Sequence, residues 1–163
     1  MSEGLSAPYV AQYNEHQRLS WLGESVLTVL VDAAVSNGQL TIVRTDGRLG
    51  DSAPLHVHAR EDELFLMLQG SGTFWVGDTR KELSDGGVAW LPRDVPHTYR
   101  IDSEEAHFLT MCTPGGFEGF FRAAGHDLST PRAPDWAITP TSMSEALVAH
   151  GGKILGPPKL LND

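Results

Sequence analysis

Short apolar runs alternate with turn residues through the middle of the chain. The runs include SVLTVLVDAAV, QLTIVRT, ELFLMLQG, GTFWV, GVAWLP, HTYRI and AHFLTMC, and each is bounded by Gly, Pro, Asp or Ser. Asn37-Gly38, between the first two runs, is typical of a tight β-hairpin turn. No helical spacing of apolar residues interrupts the stretch from Val26 to Thr113. This pattern predicts about seven or eight antiparallel strands in a sandwich or barrel.

The pattern changes after Pro114. The run GGFEGFFRAAG places apolar residues at i, i+3, i+4 and i+7, which predicts a helix that ends at Gly125. A Pro-rich connector follows, and the run SMSEALVAHGG predicts a second short helix, with Ser142 as its N-cap and Gly151 at its end. Two short helices bury little surface alone, so we expect them to pack on the barrel. The sequence leaves open whether the first helix is fixed in place or is a mobile lid.

We therefore expect one domain over residues 1–163, with a barrel core at about residues 24–113 and a helical C-terminal extension at about 114–163. The net charge of −9 and the pI near 5.1 argue against nucleic acid or an anionic membrane as a partner. The first residues lack a basic start and an apolar run, and no apolar stretch is long enough to span a bilayer. These features predict a cytoplasmic protein.

The stretch LHVHAREDE carries the candidate chemistry. His56 and His58 are two residues apart on a predicted strand and therefore point to the same face. With Glu63 and His97 they offer three imidazoles and one carboxylate, a donor set that suits Fe, Ni, Mn, Cu, Co or Zn. Four ligands leave two positions open on an octahedral ion for a substrate. We expect the other acids of the run REDE to form a solvated turn.

At these residues the chain resembles the cupin superfamily, which has two linked motifs. The first, Gly-x5-His-x-His-x3–4-Glu-x6-Gly, is matched by Gly50, His56, His58, Glu63 and Gly70. The second is matched by Gly86, Pro92 and His97, with Asp94 and Ile101 standing where the family usually has Gly and Asn. The resemblance implies an all-β fold: a single cupin double-sheet β-barrel of the jelly-roll type, with a short N-terminal arm and C-terminal helices. It also implies one divalent metal ion per chain, held by His56, His58, Glu63 and His97.

A narrower resemblance links the chain to the bacterial single-cupin quercetin 2,3-dioxygenase-like group. It rests on the runs SWLGESVLTVLVD, LPRDVPHTYRI and TPGGFEGFFRAAG. It implies an enzyme that cleaves a flavonol with dioxygen, in which the metal binds the substrate 3-hydroxyl and Glu63 acts as both ligand and base. It also implies a homodimer, for which the apolar and aromatic members of Pro8–Trp21 offer a contact segment.

The substrate pocket is predicted from strand alternation. Phe65 and Met67 share the parity of Glu63, and Tyr99 shares that of His97, so these three either line the pocket or pack in the core. The leading hypothesis is a metal-dependent oxygenase that cleaves a small aromatic or enolic substrate. Two alternatives stay open: a redox-neutral metal-dependent cyclase or isomerase, and a non-catalytic cupin that binds a small ligand.

Overall fold

The computed structural model describes residues 7–163, so the first six residues of the predicted N-terminal arm lie outside it. A 3-10 turn, Tyr13–Glu15, precedes the first strand. The strands are β1 Gln17–Ser20, β2 Val26–Val31, β3 Thr41–Arg48, β4 Pro54–His58, β5 Asp62–Gln69, β6 Gly72–Val76, β7 Thr79–Leu83, β8 Val88–Leu91, β9 His97–Ile101, β10 Glu105–Thr113, β11 His126–Asp127 and β12 Gly152–Pro158. The helices are α1 Ala33–Ser36, α2 Glu118–Ala124 and α3 Pro140–Ala149.

The strands form two antiparallel sheets. One has seven strands in the order β11-β1-β2-β3-β10-β5-β8, and the other has five in the order β12-β4-β9-β6-β7. Every second residue of β3 and of β10 is buried, because successive side chains of a strand point to opposite faces. The predicted all-β double-sheet barrel with C-terminal helices is confirmed.

The buried apolar side chains fall into two clusters. The first joins strands β1 to β3 to the two larger helices and contains Leu19, Trp21, Leu27, Val29, Val43, Cys112, Phe117, Phe120, Phe121, Ala124, Met143, Ala146 and Leu147. The second fills the other part of the barrel and contains Phe65, Met67, Phe74, Leu83, Leu91, Ile101, Ala106 and Phe108. Both α2 and α3 contribute to the first cluster, so the helices pack on the barrel as expected.

The connection between β2 and β3 differs from the predicted hairpin. The two strands pair antiparallel, but the short helix α1 lies between them, so the predicted two-residue turn is wrong. Asp32 caps this helix by accepting a hydrogen bond from the Val35 N–H at 3.0 Å. Asn37 and Gly38 end it with φ values of 52° and 76°, the left-handed conformation that these residue types tolerate.

The end of α2 and the start of α3 are marked by local residues. Helix α2 ends at Gly125 as predicted, where the Gly125 N–H donates to the Phe121 carbonyl. Helix α3 begins earlier than predicted, because Thr139, not Ser142, is its N-cap and Pro140 occupies the first turn. Among the helices within residues 7–163, none has the length and apolarity that crossing a bilayer requires.

Both ends of the described chain add strands that the sequence pattern did not reveal. Strand β12 pairs with β4 at the edge of the five-stranded sheet, a position that tolerates its two prolines. Strand β1 lies within Pro8–Trp21, the segment predicted to contact a partner, and pairs with β2 and β11. Leu19 and Trp21 are buried in the chain's own core, whereas Val10 is 97% exposed. The homodimer stays a prediction.

Candidate metal centre

Three neighbouring strands bring the four predicted ligands together. His56 and His58 lie on β4, Glu63 is the second residue of β5 after a short loop, and His97 begins β9, where it is the register partner of His56. One nitrogen of each imidazole and one oxygen of the carboxylate all lie within 4.8 Å of one another. His58, Glu63 and His97 are almost completely buried, at 1%, 4% and 2% exposure.

The outer ring nitrogen of each histidine is fixed by a backbone carbonyl. A carbonyl oxygen can only accept a hydrogen bond, so Nδ1 carries the hydrogen in all three rings. A neutral imidazole then has its lone pair on Nε2, the atom that faces the other ligands. The carbonyl partners are those of Pro54 at 2.7 Å from His56, Glu61 at 3.1 Å from His58 and Val95 at 2.9 Å from His97.

The inner ring nitrogens face a carboxylate oxygen. Glu63 Oε2 lies 3.0 Å from His58 Nε2 and 3.2 Å from His97 Nε2, and within the described residues His97 Nε2 is buried without a hydrogen-bond partner. Two electron-rich atoms this close need a proton or a cation between them. Two ligands at about 2.1 Å from one ion, at right angles, lie about 3.0 Å apart. The donor set and its spacing therefore fit a divalent cation.

The pKa values of His56, His58 and Glu63 agree with the close spacing of the four ligands. Burial, reinforced by the neighbouring His97, lowers the pKa of His56 to about 4, so this ring is neutral near pH 7. Burial also acts to lower the pKa of His58, but the hydrogen bond and charge of Glu63 outweigh it and raise that pKa. Burial acts to raise the pKa of Glu63, but the hydrogen bond from His58 and the close approach of the His97 ring bring it well below its usual range. In the metal-free protein a proton is thus favoured between His58 and Glu63, and binding of a cation displaces it.

A backbone contact joins the two motif segments. The Asp94 N–H donates to the carbonyl of His58 at 3.0 Å, and Arg93 pairs with Asp62 at 2.8 Å. Asp94 adopts a φ of 64°, a left-handed conformation that glycine adopts readily, which explains why glycine is usual at this motif position. Asp is among the few other residues that tolerate this conformation. The departure from the motif therefore leaves the turn, and with it the position of His97, in place.

Glu61 departs from the sequence expectation. The acids of REDE other than Glu63 were expected in a solvated turn, but Glu61 is only 1% exposed. Its Oε2 has no hydrogen-bond partner among the described residues, and burial raises the pKa of this carboxyl. The expectation is wrong at this residue because its side chain turns inward beside His58, a placement that depends on the folded barrel and not on local sequence.

An apolar cavity opens beside two of the four ligands, His56 and Glu63, and has a volume of about 50 Å³. Phe65 and Tyr99 line it, whereas Met67 lies outside the lining, 1% exposed within the second core cluster. The ring of Phe117, at the start of α2, packs against the His58 ring with 4.8 Å between the ring centroids. The sequence pattern did not predict this contact. The complete lining is Trp21, Leu22, Leu27, Thr45, Ala53, Pro54, His56, Glu63, Phe65, Tyr99, Phe108, Thr110, Phe117, Phe120, Phe121, Met143, Leu147 and Ile154.

Residues 48–112 match the family model described as Cupin domain. The chain is 31% identical over 120 residues to a quercetin 2,3-dioxygenase of Bacillus subtilis (strain 168), an alignment that covers 74% of this chain and 35% of that protein. It is 27% identical over 125 residues to a quercetin 2,3-dioxygenase of Aspergillus japonicus, with 72% and 36% covered. The chain thus spans about a third of the length of these two curated relatives.

Solved structures share the fold at low sequence identity. KdgF from Halomonas sp. superposes with a TM-score of 0.62 at 15% identity, covering 69% of this chain and 98% of that one. A RmlC-like cupin from Shewanella frigidimarina gives a TM-score of 0.59 at 14% identity, covering 69% and 96%. With both sequence motifs, the matched domain model and the double-sheet barrel in agreement, residues 48–112 form a cupin domain, and the chain is similar to the quercetin 2,3-dioxygenases of that superfamily.

Proposed function

We propose that this chain is a metal-dependent oxygenase of the quercetin 2,3-dioxygenase-like kind, acting on a small neutral aromatic or enolic substrate. His56, His58, His97 and Glu63 would hold one divalent ion, which supplies Lewis acidity and electron exchange with dioxygen when bound. The observation that carries the proposal is the meeting of this donor set with an apolar, aromatic-lined cavity. The similarity to the two curated quercetin dioxygenases supports the same reaction class.

The cavity lining supports a neutral substrate. Among the described residues its lining contains neither Lys nor Arg, so nothing beyond a bound metal ion would compensate the charge of a phosphate or carboxylate group on the substrate. The side chains of Thr45, Tyr99 and Thr110 offer hydroxyl groups for a few polar contacts. An aromatic substrate with one or two hydroxyl groups matches this balance better than an anionic sugar does.

Glu63 is the proposed base for the substrate hydroxyl. Its carboxylate lines the cavity, so a hydroxyl bound beside it can pass its proton over a short distance. In the metal-free protein the pKa of Glu63 is lowered by the hydrogen bond from His58 Nε2 and by the neighbouring His97 ring. The Nε2 atoms of both rings would bind the ion, which would keep Glu63 deprotonated and acidify a hydroxyl bound beside it, so that the proton can pass to the carboxylate.

A substrate the size of a flavonol requires side-chain movement. A cavity of about 50 Å³ holds only a few water molecules, since each needs about 10–15 Å³. Phe117, Phe120 and Phe121 form the cavity wall on the α2 side. We propose that displacement of these rings admits the substrate, so that α2 serves as a lid in addition to packing on the barrel.

Oxygen consumption tests the proposal. The chain, loaded in turn with Fe²⁺, Mn²⁺, Co²⁺ or Ni²⁺, is mixed with quercetin in an oxygen electrode, beside Glu63→Gln and the surface control Glu82→Gln. We expect oxygen uptake with wild type and the control and at least a hundredfold slower uptake with Glu63→Gln, because a general base contributes about 10²- to 10⁴-fold. Turnover of an enol without oxygen, or metal binding without any turnover, would contradict the oxygenase.

A further inference from the structure

One acidic side chain beside the metal centre has an environment that the fold alone does not explain. Glu61 is 1% exposed, and its Oε2 has no hydrogen-bond partner within residues 7–163. A buried carboxylate without full compensation destabilises the folded state. The charge of the Glu61 carboxylate can offset this destabilisation only by acting on a neighbouring group.

Two cationic or potentially cationic groups lie near Glu61. Arg60 Nε is 3.9 Å from Glu61 Oε1, but the Arg60 side chain is 62% exposed, so solvent screens this ion pair and weakens it. His58 Nδ1 is 3.9 Å from Oε2, and both side chains are at most 1% exposed. The stronger interaction is therefore with the ring of His58.

Glu61 places two oxygen atoms on the Nδ1 side of the His58 ring. Its backbone carbonyl accepts the Nδ1–H at 3.1 Å, and its carboxylate lies just beyond at 3.9 Å. On the other side, Glu63 faces Nε2 at 3.0 Å. His58 is therefore the imidazole that stands between two buried carboxylates. His56 and His97 have a backbone carbonyl at Nδ1, from Pro54 and Val95, and no carboxylate among the outer contacts found there.

We infer that Glu61 is a positioning residue for the metal centre: it holds the His58 ring in its metal-binding tautomer and orientation and strengthens Nε2 as a donor. The inference rests on the proposed metal site. When a cation draws electron density from Nε2, the Nδ1–H side of the ring becomes more positive, and a carboxylate there stabilises the charge. Within residues 7–163 Glu61 has no hydrogen bond or ion pair with the other three ligands and is not part of the cavity lining, so it acts through His58.

Cobalt binding tests the role. Apo wild type, Glu61→Gln, Glu61→Asp and the surface control Glu82→Gln are titrated with Co²⁺ against a competing chelator, and the visible absorption bands of the bound ion are recorded. We expect Glu61→Gln to bind Co²⁺ about 10- to 100-fold more weakly, with shifted bands, because the loss of such outer carboxylates has effects of this size. Glu61→Asp keeps the charge and should recover part of the affinity, and Glu82→Gln should match wild type.

Urea unfolding of the apo proteins separates this role from a structural one. Removing an uncompensated buried charge should leave apo Glu61→Gln as stable as wild type or more stable, while its Co²⁺ affinity falls. Equal Co²⁺ affinity and equal spectra in Glu61→Gln and wild type would overturn the inference, as would a loss of apo stability that accounts for the whole effect. Failure of wild type itself to bind Co²⁺ would instead overturn the proposed metal site.

Discussion

The neutral state of His56 should make the metal-free protein sensitive to mild acid. Burial and the neighbouring His97 lower the pKa of His56 to about 4 in the folded chain, against 6.5 for an unperturbed histidine. Between pH 6.5 and about pH 4, His56 is protonated in the unfolded chain but stays neutral in the folded chain. Stability contributed by this group is therefore complete above pH 6.5 and is lost as the pH falls toward 4. Each pKa unit is worth about 1.4 kcal/mol, so the loss from His56 is about 3 kcal/mol.

The assay compares His56→Gln with wild type in urea, with a chelator present, from about pH 7 to about pH 4.5. The comparison is needed because the pKa of His58 is raised, so protonation of His58 opposes the acid loss in wild type. We expect most of the 3 kcal/mol fall to be absent from His56→Gln, whereas His126→Gln, on the edge strand β11, keeps it. Parallel pH curves for His56→Gln and wild type would refute the reasoning.

Three further results are expected. Glu118→Gln should lower the free energy of unfolding by about 1–3 kcal/mol in urea, because Glu118 accepts hydrogen bonds from the Thr41 hydroxyl and from the Ala33 and Gly116 N–H groups; an unchanged midpoint would contradict this. Cys112 is fully buried and its pKa is raised by burial, so a thiol reagent should react only after unfolding, and rapid labelling of the folded protein would contradict this. Co²⁺ at about 100 times its Kd should raise the free energy of unfolding by about 2.7 kcal/mol, and no rise would mean that the ion does not prefer the folded state.

Local sequence signals were sufficient for the barrel and for the ligand set. Two histidines two apart on a strand must share a face, and the spacing to Glu63 and His97 matches two linked motifs. Alternating short strands between turn residues likewise predicted the sheets. The strands and the shared face of His56 and His58 depend on neighbours in the sequence, whereas the inclusion of His97 rests on the resemblance to the second cupin motif.

Features that depend on long-range packing escaped prediction. Glu61 looks like any acid in a charged turn until the fold buries it beside His58. Strand β12 contains two prolines and two glycines, a composition typical of coil, and becomes a strand only because β4 offers it an edge. Thr139, not Ser142, caps α3, because Pro140 has a fixed φ that suits the first helical turn.

Metal analysis of the purified protein tests the central claim most directly. Wild type and His97→Ala are exposed to the same divalent ions, separated from unbound metal, and measured by elemental analysis alongside far-UV circular dichroism. The geometry of the four ligands predicts about one ion per wild-type chain and a large loss of metal from a folded His97→Ala. Wild type without metal, or His97→Ala that retains the same amount, would contradict the metal centre and with it the proposed oxygenase.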